Sequence, residues 1–173
     1  MRIISGKYKG KRLNGYDIVG TRPTMDRVKE SIYGIIQGYI KNSVVLDLFA
    51  GSGSLGLEAI SNGAKKLVLI DNNKKVVDIL KDNIKSFDDN IEVFTVDYKK
   101  YLKTTNEKFD IIFLDPPYRA GLMNKAFRII EERQLINKDG IIICEFENIN
   151  IETNFKLIRE KKYGPKTVHI YKN

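Results

Sequence analysis

Val44-Val-Leu-Asp-Leu-Phe-Ala-Gly-Ser-Gly-Ser-Leu-Gly56 is the stretch that decides the fold of this chain. Residues 44–49 form a short, almost wholly apolar run, the pattern of a strand buried on both faces. Gly51, Gly53 and Gly56 follow at G-x-G-x-x-G spacing, and residues 54–62 read as a helix. Strand, glycine turn and helix in that order open a βαβ unit, whose ligand sits beyond the strand's carboxyl end.

The same alternation continues on the C-terminal side. Residues 67–70 read as a second strand ended by Asp71, and 74–85 as a helix with Val76, Val77, Leu80 and Ile84 on one face. Residues 91–96, 109–114 and 140–145 read as further strands, with a helix over 122–133. Strands alternating with helices predict a parallel sheet with right-handed crossovers. The tail differs: 156–161, a Tyr163-Gly-Pro165 turn and 167–171 predict a closing antiparallel hairpin. On the N-terminal side, residues 2–5 and 9–13 read as a weak hairpin. Val28, Ile32, Ile35, Ile36 and Tyr39 lie at helical spacing and predict a helix from Thr24 to about Tyr39. The expected fold is α/β: a Rossmann-like, doubly wound, mostly parallel seven-stranded sheet with a C-terminal antiparallel hairpin. Residues 1–20 form a small basic N-terminal extension, and 21–173 form the main domain.

The chain has 173 residues, enough for one domain that needs no disulfide or metal staple. It contains one cysteine, Cys144, which excludes an internal disulfide and a multi-cysteine metal site. No apolar run approaches the length of a membrane span or signal peptide, so a reduced cytoplasm is the expected location. Net charge is +8. Residues 1–30 hold eight basic and three acidic groups, and 156–173 hold six and one, so the body between is slightly acidic. Two basic ends on a near-neutral body suggest a polyanionic partner, most often nucleic acid.

The glycine turn with Asp71 also fits a nicotinamide dinucleotide site. Asp47 argues against it. A carboxylate at the end of the first strand would repel a pyrophosphate but would favour an ammonium or sulfonium. S-adenosylmethionine carries both cations and no phosphate. Gly51 and Gly53 would let the backbone approach its methionine part closely. Asp71, with Asn72 beside it, would take the ribose, and Asp97, with Tyr98, the adenine end. Asp71 and Asp97 fit ordinary turn or helix-cap roles as well. Three carboxylates ending three successive strands favour the cofactor reading.

Asp115-Pro-Pro-Tyr118 ends the fourth strand. Proline lacks a backbone N–H, so Pro116 and Pro117 leave only acceptors there: the Asp115 carboxylate and the Pro116 carbonyl. An exocyclic amino group offers two N–H donors and matches two acceptors. Tyr118 can stack on a flat base. No serine or cysteine has a nucleophile's partner, and no zinc spacing or Walker lysine appears, so no metal is expected. His169, the one histidine, reads as structural or exposed.

Residues 45–56 resemble motif I of the class I S-adenosylmethionine-dependent methyltransferases, and Asp115-Pro-Pro-Tyr118 resembles motif IV of those that act on amino groups. The stretches Arg2-Ile-Ile-Ser-Gly-Lys-Tyr-Lys-Gly-Lys-Arg-Leu13 and Thr21-Arg-Pro-Thr-Met-Asp-Arg-Val-Lys-Glu30 resemble the start of RsmD-type enzymes. That family methylates a guanine N2 in bacterial small-subunit ribosomal RNA. The resemblance runs nearly end to end, through Lys161-Lys-Tyr-Gly-Pro-Lys-Thr-Val168. It implies that Asp47, Gly51 and Gly53 hold the methionine part, Asp71 the ribose and Asp97 the adenine end. Asp115 and Pro116 would hold the target N2, with Tyr118 stacked on the guanine. Lys7, Lys9, Lys11 and Arg12 would grip the RNA backbone, and Arg22 and Arg27 would bridge cleft and RNA. The implied substrate is 16S rRNA, free or as an assembled particle, and the expected state is a monomer. Adenine N6, a protein amide, and a non-enzymatic cofactor-binding role on rRNA remain as alternatives.

Overall fold

A computed structural model describes residues 1–15, 22–117 and 121–173, the side chains of 22–25 excepted. The elements run α1 (Arg22–Ile40), β1 (Val44–Asp47), α2 (Ser54–Ser61), β2 (Lys66–Asp71), α3 (Lys74–Ile84), β3 (Ile91–Thr95), α4 (Tyr98–Thr104), β4 (Phe109–Leu114), α5 (Leu122–Glu132), β5 (Ile136–Phe146), β6 (Lys156–Tyr163) and β7 (Lys166–Lys172). One seven-stranded sheet has the order β3-β2-β1-β4-β5-β7-β6. The first five strands are parallel; β7 runs antiparallel between β5 and β6.

Strand alternation divides the core into two layers. Val45, Leu67, Leu69, Ile111, Phe113, Ile141 and Ile143 pack with α1, α2 and Leu80 of α3. Leu46, Val68, Ile70, Ile112, Leu114, Ile142 and Cys144 pack on the other side with α4 and α5. The central strands are apolar on both faces because helices cover both. In α5, Met123, Ala126, Phe127 and Ile130 recur at helical spacing and are all buried.

Two expectations needed correction. α4 was absent from the expected elements, being only seven residues long with three lysines. It forms because Asp97 caps it and Tyr98, Tyr101 and Leu102 bury one side. The buried stripe of α1 is Val28, Lys29, Ile32, Tyr33, Ile36 and Ile40, rotated from the expected one, with Ile35 and Tyr39 only half-buried.

The first residues make a hairpin reduced to one bridge, Arg2 with Arg12. Ile3 and Leu13 are buried in the α1–α2 core layer, so this segment is built into the domain surface and does not stand apart from it. Its anchor is Glu58 on α2. The Glu58 carboxylate accepts from Ile4 N, Ser5 N and Ser5 Oγ, and pairs with Lys29 of α1. The boundary expected at residue 20 lies outside the described residues.

Candidate active site

Strand order reverses between β1 and β4, so their loops diverge and leave a cleft beyond their carboxyl ends. Asp47 ends β1 and pairs in register with Phe113 of β4. Asp115 lies two residues past Phe113, one pleat repeat further along the same side. Asp71 ends the neighbouring β2.

The glycine turn is tight. Gly51 and Gly53 have φ of 54° and 79°, the left-handed region that favours glycine. Their surroundings differ. A Cβ at Gly53 would come within 2.5 Å of Leu80 Cδ1, so Gly53 is small for packing. A Cβ at Gly51 would meet nothing within 4 Å, so Gly51 faces open space where a ligand can approach the backbone. The sequence reading gave both glycines one role; the structure divides it.

Asp47 is buried, and Gly56 N donates to its Oδ2 at 3.0 Å. Burial pushes its carboxyl up to about 7, opposed by the backbone bonds from Gly56 and Phe49 and reinforced by Asp71. A cation arriving beside it would pull that value down again. Asp71 accepts from Gly51 N at 3.1 Å and Asn73 N at 2.9 Å, one on each oxygen. Two lone-pair positions are left, which suits a diol. Asn72 is exposed beside it.

Asp97 accepts from Lys99 N and Lys100 N through Oδ1, so it is a helix cap with one oxygen to spare. Tyr98 is buried against Phe49, ring centroids 5.1 Å apart. Its hydroxyl has no hydrogen-bond partner among the described residues. The hydroxyl belongs to a ring packed against Phe49, two residues before Gly51, and is free to take a polar ligand. Open Gly51, the spare Asp71 lone pairs and Tyr98 Oη together fit a nucleoside-bearing cofactor such as S-adenosylmethionine.

Beyond β4, Asp115 and Pro117 are exposed and Pro116 is buried. Solvent reaches Asp115, but protein surrounds the cleft floor where it sits. That surround pushes its carboxyl up to about 7, with the Glu145 carboxylate adding and Lys166 opposing. Tyr118 lies outside the described residues. Glu145 and Lys166 were not foreseen. The available signal was that Glu145 ends the fifth strand's apolar run as Asp115 ends the fourth.

The basic residues split into two groups. Lys7 lies 3.3 Å from Asp89, and Lys11 sits over the Phe87 ring and bonds Ser86 O, so both pin the turn after α3. Lys9, Arg12 and Arg27 are exposed and make no ion pair among the described residues. Arg22 opens α1, its side chain outside the description. His169 is structural, bonded to Tyr171 Oη at 2.9 Å and Glu160 at 2.8 Å. No cluster of described His, Cys, Asp or Glu residues is placed to hold a metal ion. No described helix is long and apolar enough to cross a membrane. A cavity of about 290 Å³ lies at the opposite end of the sheet, lined by Tyr39, Ser43, Asp110 and Gly140 among others. There Asp110 already accepts from Val44 N and Asn137 Nδ2, so the cavity is part of strand capping.

Comparison with known proteins follows the same lines. The family described as Conserved hypothetical protein 95 matches residues 1–172. A relative from Buchnera aphidicola, ribosomal RNA small subunit methyltransferase D, is 40% identical, covering 92% of this chain and 86% of its own. The protein of that name from Escherichia coli K12 is 33% identical over 99% of this chain and 89% of its own. A solved Escherichia coli structure, yhhF, described as a candidate methyltransferase, superposes with a TM-score of 0.90 at 32% identity. It covers 100% of this chain and 97% of its own.

Proposed function

We propose that this chain, which belongs to the family described as Conserved hypothetical protein 95, methylates the exocyclic N2 of a guanine in small-subunit (16S) ribosomal RNA, with S-adenosyl-L-methionine as donor. The observation that carries the reading is the pairing, at one switch point, of a cation-favouring glycine-turn pocket with an acceptor-only Asp115-Pro116 edge. Relatives named as small-subunit rRNA methyltransferases supply the substrate class.

S-adenosylmethionine supplies a methyl group on a positively charged sulfur. The chain's own residues do the rest. Asp71 takes the ribose hydroxyls with its spare lone pairs, and Tyr98 Oη offers one further polar contact. Asp47 supplies negative charge behind the glycine turn. The Asp115 carboxylate and Pro116 carbonyl accept the two N–H bonds of the amino group, turning its lone pair toward the methyl. The base must leave its stack to reach them. Such positioning contributes several kcal/mol of rate acceleration. We place the activity in the cytoplasm, on a monomer.

The test is transfer of labelled methyl from S-adenosylmethionine to unmodified small-subunit RNA, naked and as assembled particles, followed by nucleoside analysis. N2-methylguanine supports the reading and shows which form is the substrate. N6-methyladenine, or label on protein alone, overturns the acceptor assignment. No label despite measured cofactor binding moves the chain to a binding role.

A further inference from the structure

We propose that Glu145, locked by Lys166 on the closing hairpin, is a positioning residue that fits Asp115 to receive the proton released when the amino nitrogen is methylated. The proposal deepens the function above and rests on its acceptor reading.

The placement comes from strand register. β4 and β5 are parallel, with Phe113 beside Ile143 and Leu114 beside Cys144. One residue on, Asp115 follows the end of β4 while Glu145 is still within β5, so the register carried forward sets the two side by side, at about the 4.8 Å that separates neighbouring strands. Phe113 and Ile143 belong to the core layer under α1, and alternation carries Asp115 and Glu145 to that same side. Across β5, Glu145 faces Val168 of β7 in antiparallel register. Lys166, two residues before Val168, returns on that side and pairs with the Glu145 carboxylate. The Glu145 side chain is only 13% exposed, so the pair fixes one anion at the cleft wall.

Burial is the largest influence on Asp115, and the charged groups that bear on it are Glu145 from β5, Lys166 from β7 and Asp47 from β1. Two carboxylates and one lysine leave excess negative charge around Asp115. The chemistry needs that excess. As the N–C bond forms, the S–C bond breaks and the sulfur keeps the bonding pair. The nitrogen then carries one proton too many. A carboxylate in the ordinary acidic range is a poor acceptor at neutral pH, and one matched to that pH is a good acceptor. Glu145 raises the basicity of Asp115 by repulsion, and Lys166 holds the Glu145 carboxylate in place while opposing that effect.

The experiment uses the full chain and follows Asp115 in two ways. One is its carboxyl-carbon NMR titration; the other is the pH profile of single-turnover methyl transfer to unmodified small-subunit RNA. Wild type is compared with Glu145→Gln and Lys166→Met, with melting curves and cofactor affinity as controls. The expected result is opposite shifts. Glu145→Gln lowers the Asp115 midpoint and slows transfer roughly tenfold, while Lys166→Met raises the midpoint. Cofactor affinity is unchanged in both. A hairpin clamp without influence on Asp115 would change both melting curves alike and leave both midpoints in place, and that result overturns the proposal. Transfer absent in wild type overturns the acceptor reading itself, and the proposal with it. Normal wild-type transfer with unshifted midpoints overturns only the role of Glu145.

Discussion

Lys29 Nζ lies 3.0 Å from Glu58 Oε2, and both side chains are almost completely covered. The pair ties α1 to α2, and Glu58 also accepts from the backbone of Ile4 and Ser5. Lys29 Nζ reaches Arg2 O at 2.7 Å as well. One buried carboxylate thus joins the N-terminal hairpin to the helix that follows the glycine turn. Removing one partner of a buried pair costs about 3–5 kcal/mol, because the other charge is left unpaired. Glu58→Ala is therefore expected to lower the melting temperature by on the order of 10 °C. Loss of backbone protection at Ile4 and Ser5, read by hydrogen exchange, checks that the hairpin detaches.

Asp71 bridges Gly51 N and Asn73 N and keeps two lone-pair positions, the ones proposed to take the ribose. Asp71→Ala removes the ribose acceptors and loosens the turn together. Hydrogen bonds to a charged group are worth about 1.5–3 kcal/mol, so cofactor affinity falls by roughly 10- to 150-fold. Calorimetric titration with S-adenosylmethionine measures this. An unchanged affinity would remove Asp71 from the site.

Much of this was readable in the chain and some was not. Both wings of the parallel sheet showed in the sequence because each central strand contains a short apolar run ended by a carboxylate or a turn. The glycine turn and the Asp-Pro-Pro edge were legible because each needs a backbone feature that only glycine or proline supplies. The division of labour between Gly51 and Gly53 was not legible, because it depends on Leu80, a residue from another helix. That Lys7 and Lys11 also pin the turn after α3 was not legible, because their partners, Asp89 and the Ser86–Phe87 turn, lie far along the chain. Glu145 and Lys166 come together only through the β5–β7 register, which no local pattern announces.

Two glycines offer a contrast in packing. A Cβ at Gly56 would meet Leu67 Cδ1 at 2.7 Å and Leu69 Cδ2 at 2.8 Å, holding α2 off β2. Gly56→Ala is expected to cost about 1–3 kcal/mol through overpacking. A Cβ at Gly34, exposed on α1, meets nothing within 4 Å. Gly34→Ala should stabilise the protein by roughly 0.5–1 kcal/mol. Denaturant midpoints should move in opposite directions for the two.

The exposed cations should separate by salt dependence. Lys9 and Arg12 are exposed and make no ion pair among the described residues, whereas Lys7 and Lys11 are engaged with the turn after α3. If the hairpin lies on the RNA backbone, Lys9→Ala and Arg12→Ala each reduce the slope of log affinity against log salt by about 1. Lys11→Ala should change that slope less and lower stability more. Filter binding across a salt series with small-subunit RNA reads the slopes.

The carboxyl of Asp47 is raised to about 7 by burial, from 3.8. Its protonated form is favoured in the folded state, so the folded chain holds a proton that the unfolded chain has released between those values. Stability from this group is present below about 4 and is lost as pH rises toward 7. Asp47→Asn keeps an oxygen to accept from Gly56 N and removes the ionisation. The variant should therefore lose less stability than wild type between pH 5 and 7.5, in denaturant melts at each pH. The cofactor runs the other way. Its cations favour the ionised carboxylate, so wild-type affinity for S-adenosylmethionine should tighten as pH rises through about 7, with a proton released on binding. Asp47→Asn should bind more weakly at pH 8 and lose that pH dependence. Calorimetry in buffers of different ionisation enthalpy counts the proton, and wild-type binding without proton release at pH 6 would place the cationic part of the ligand away from Asp47.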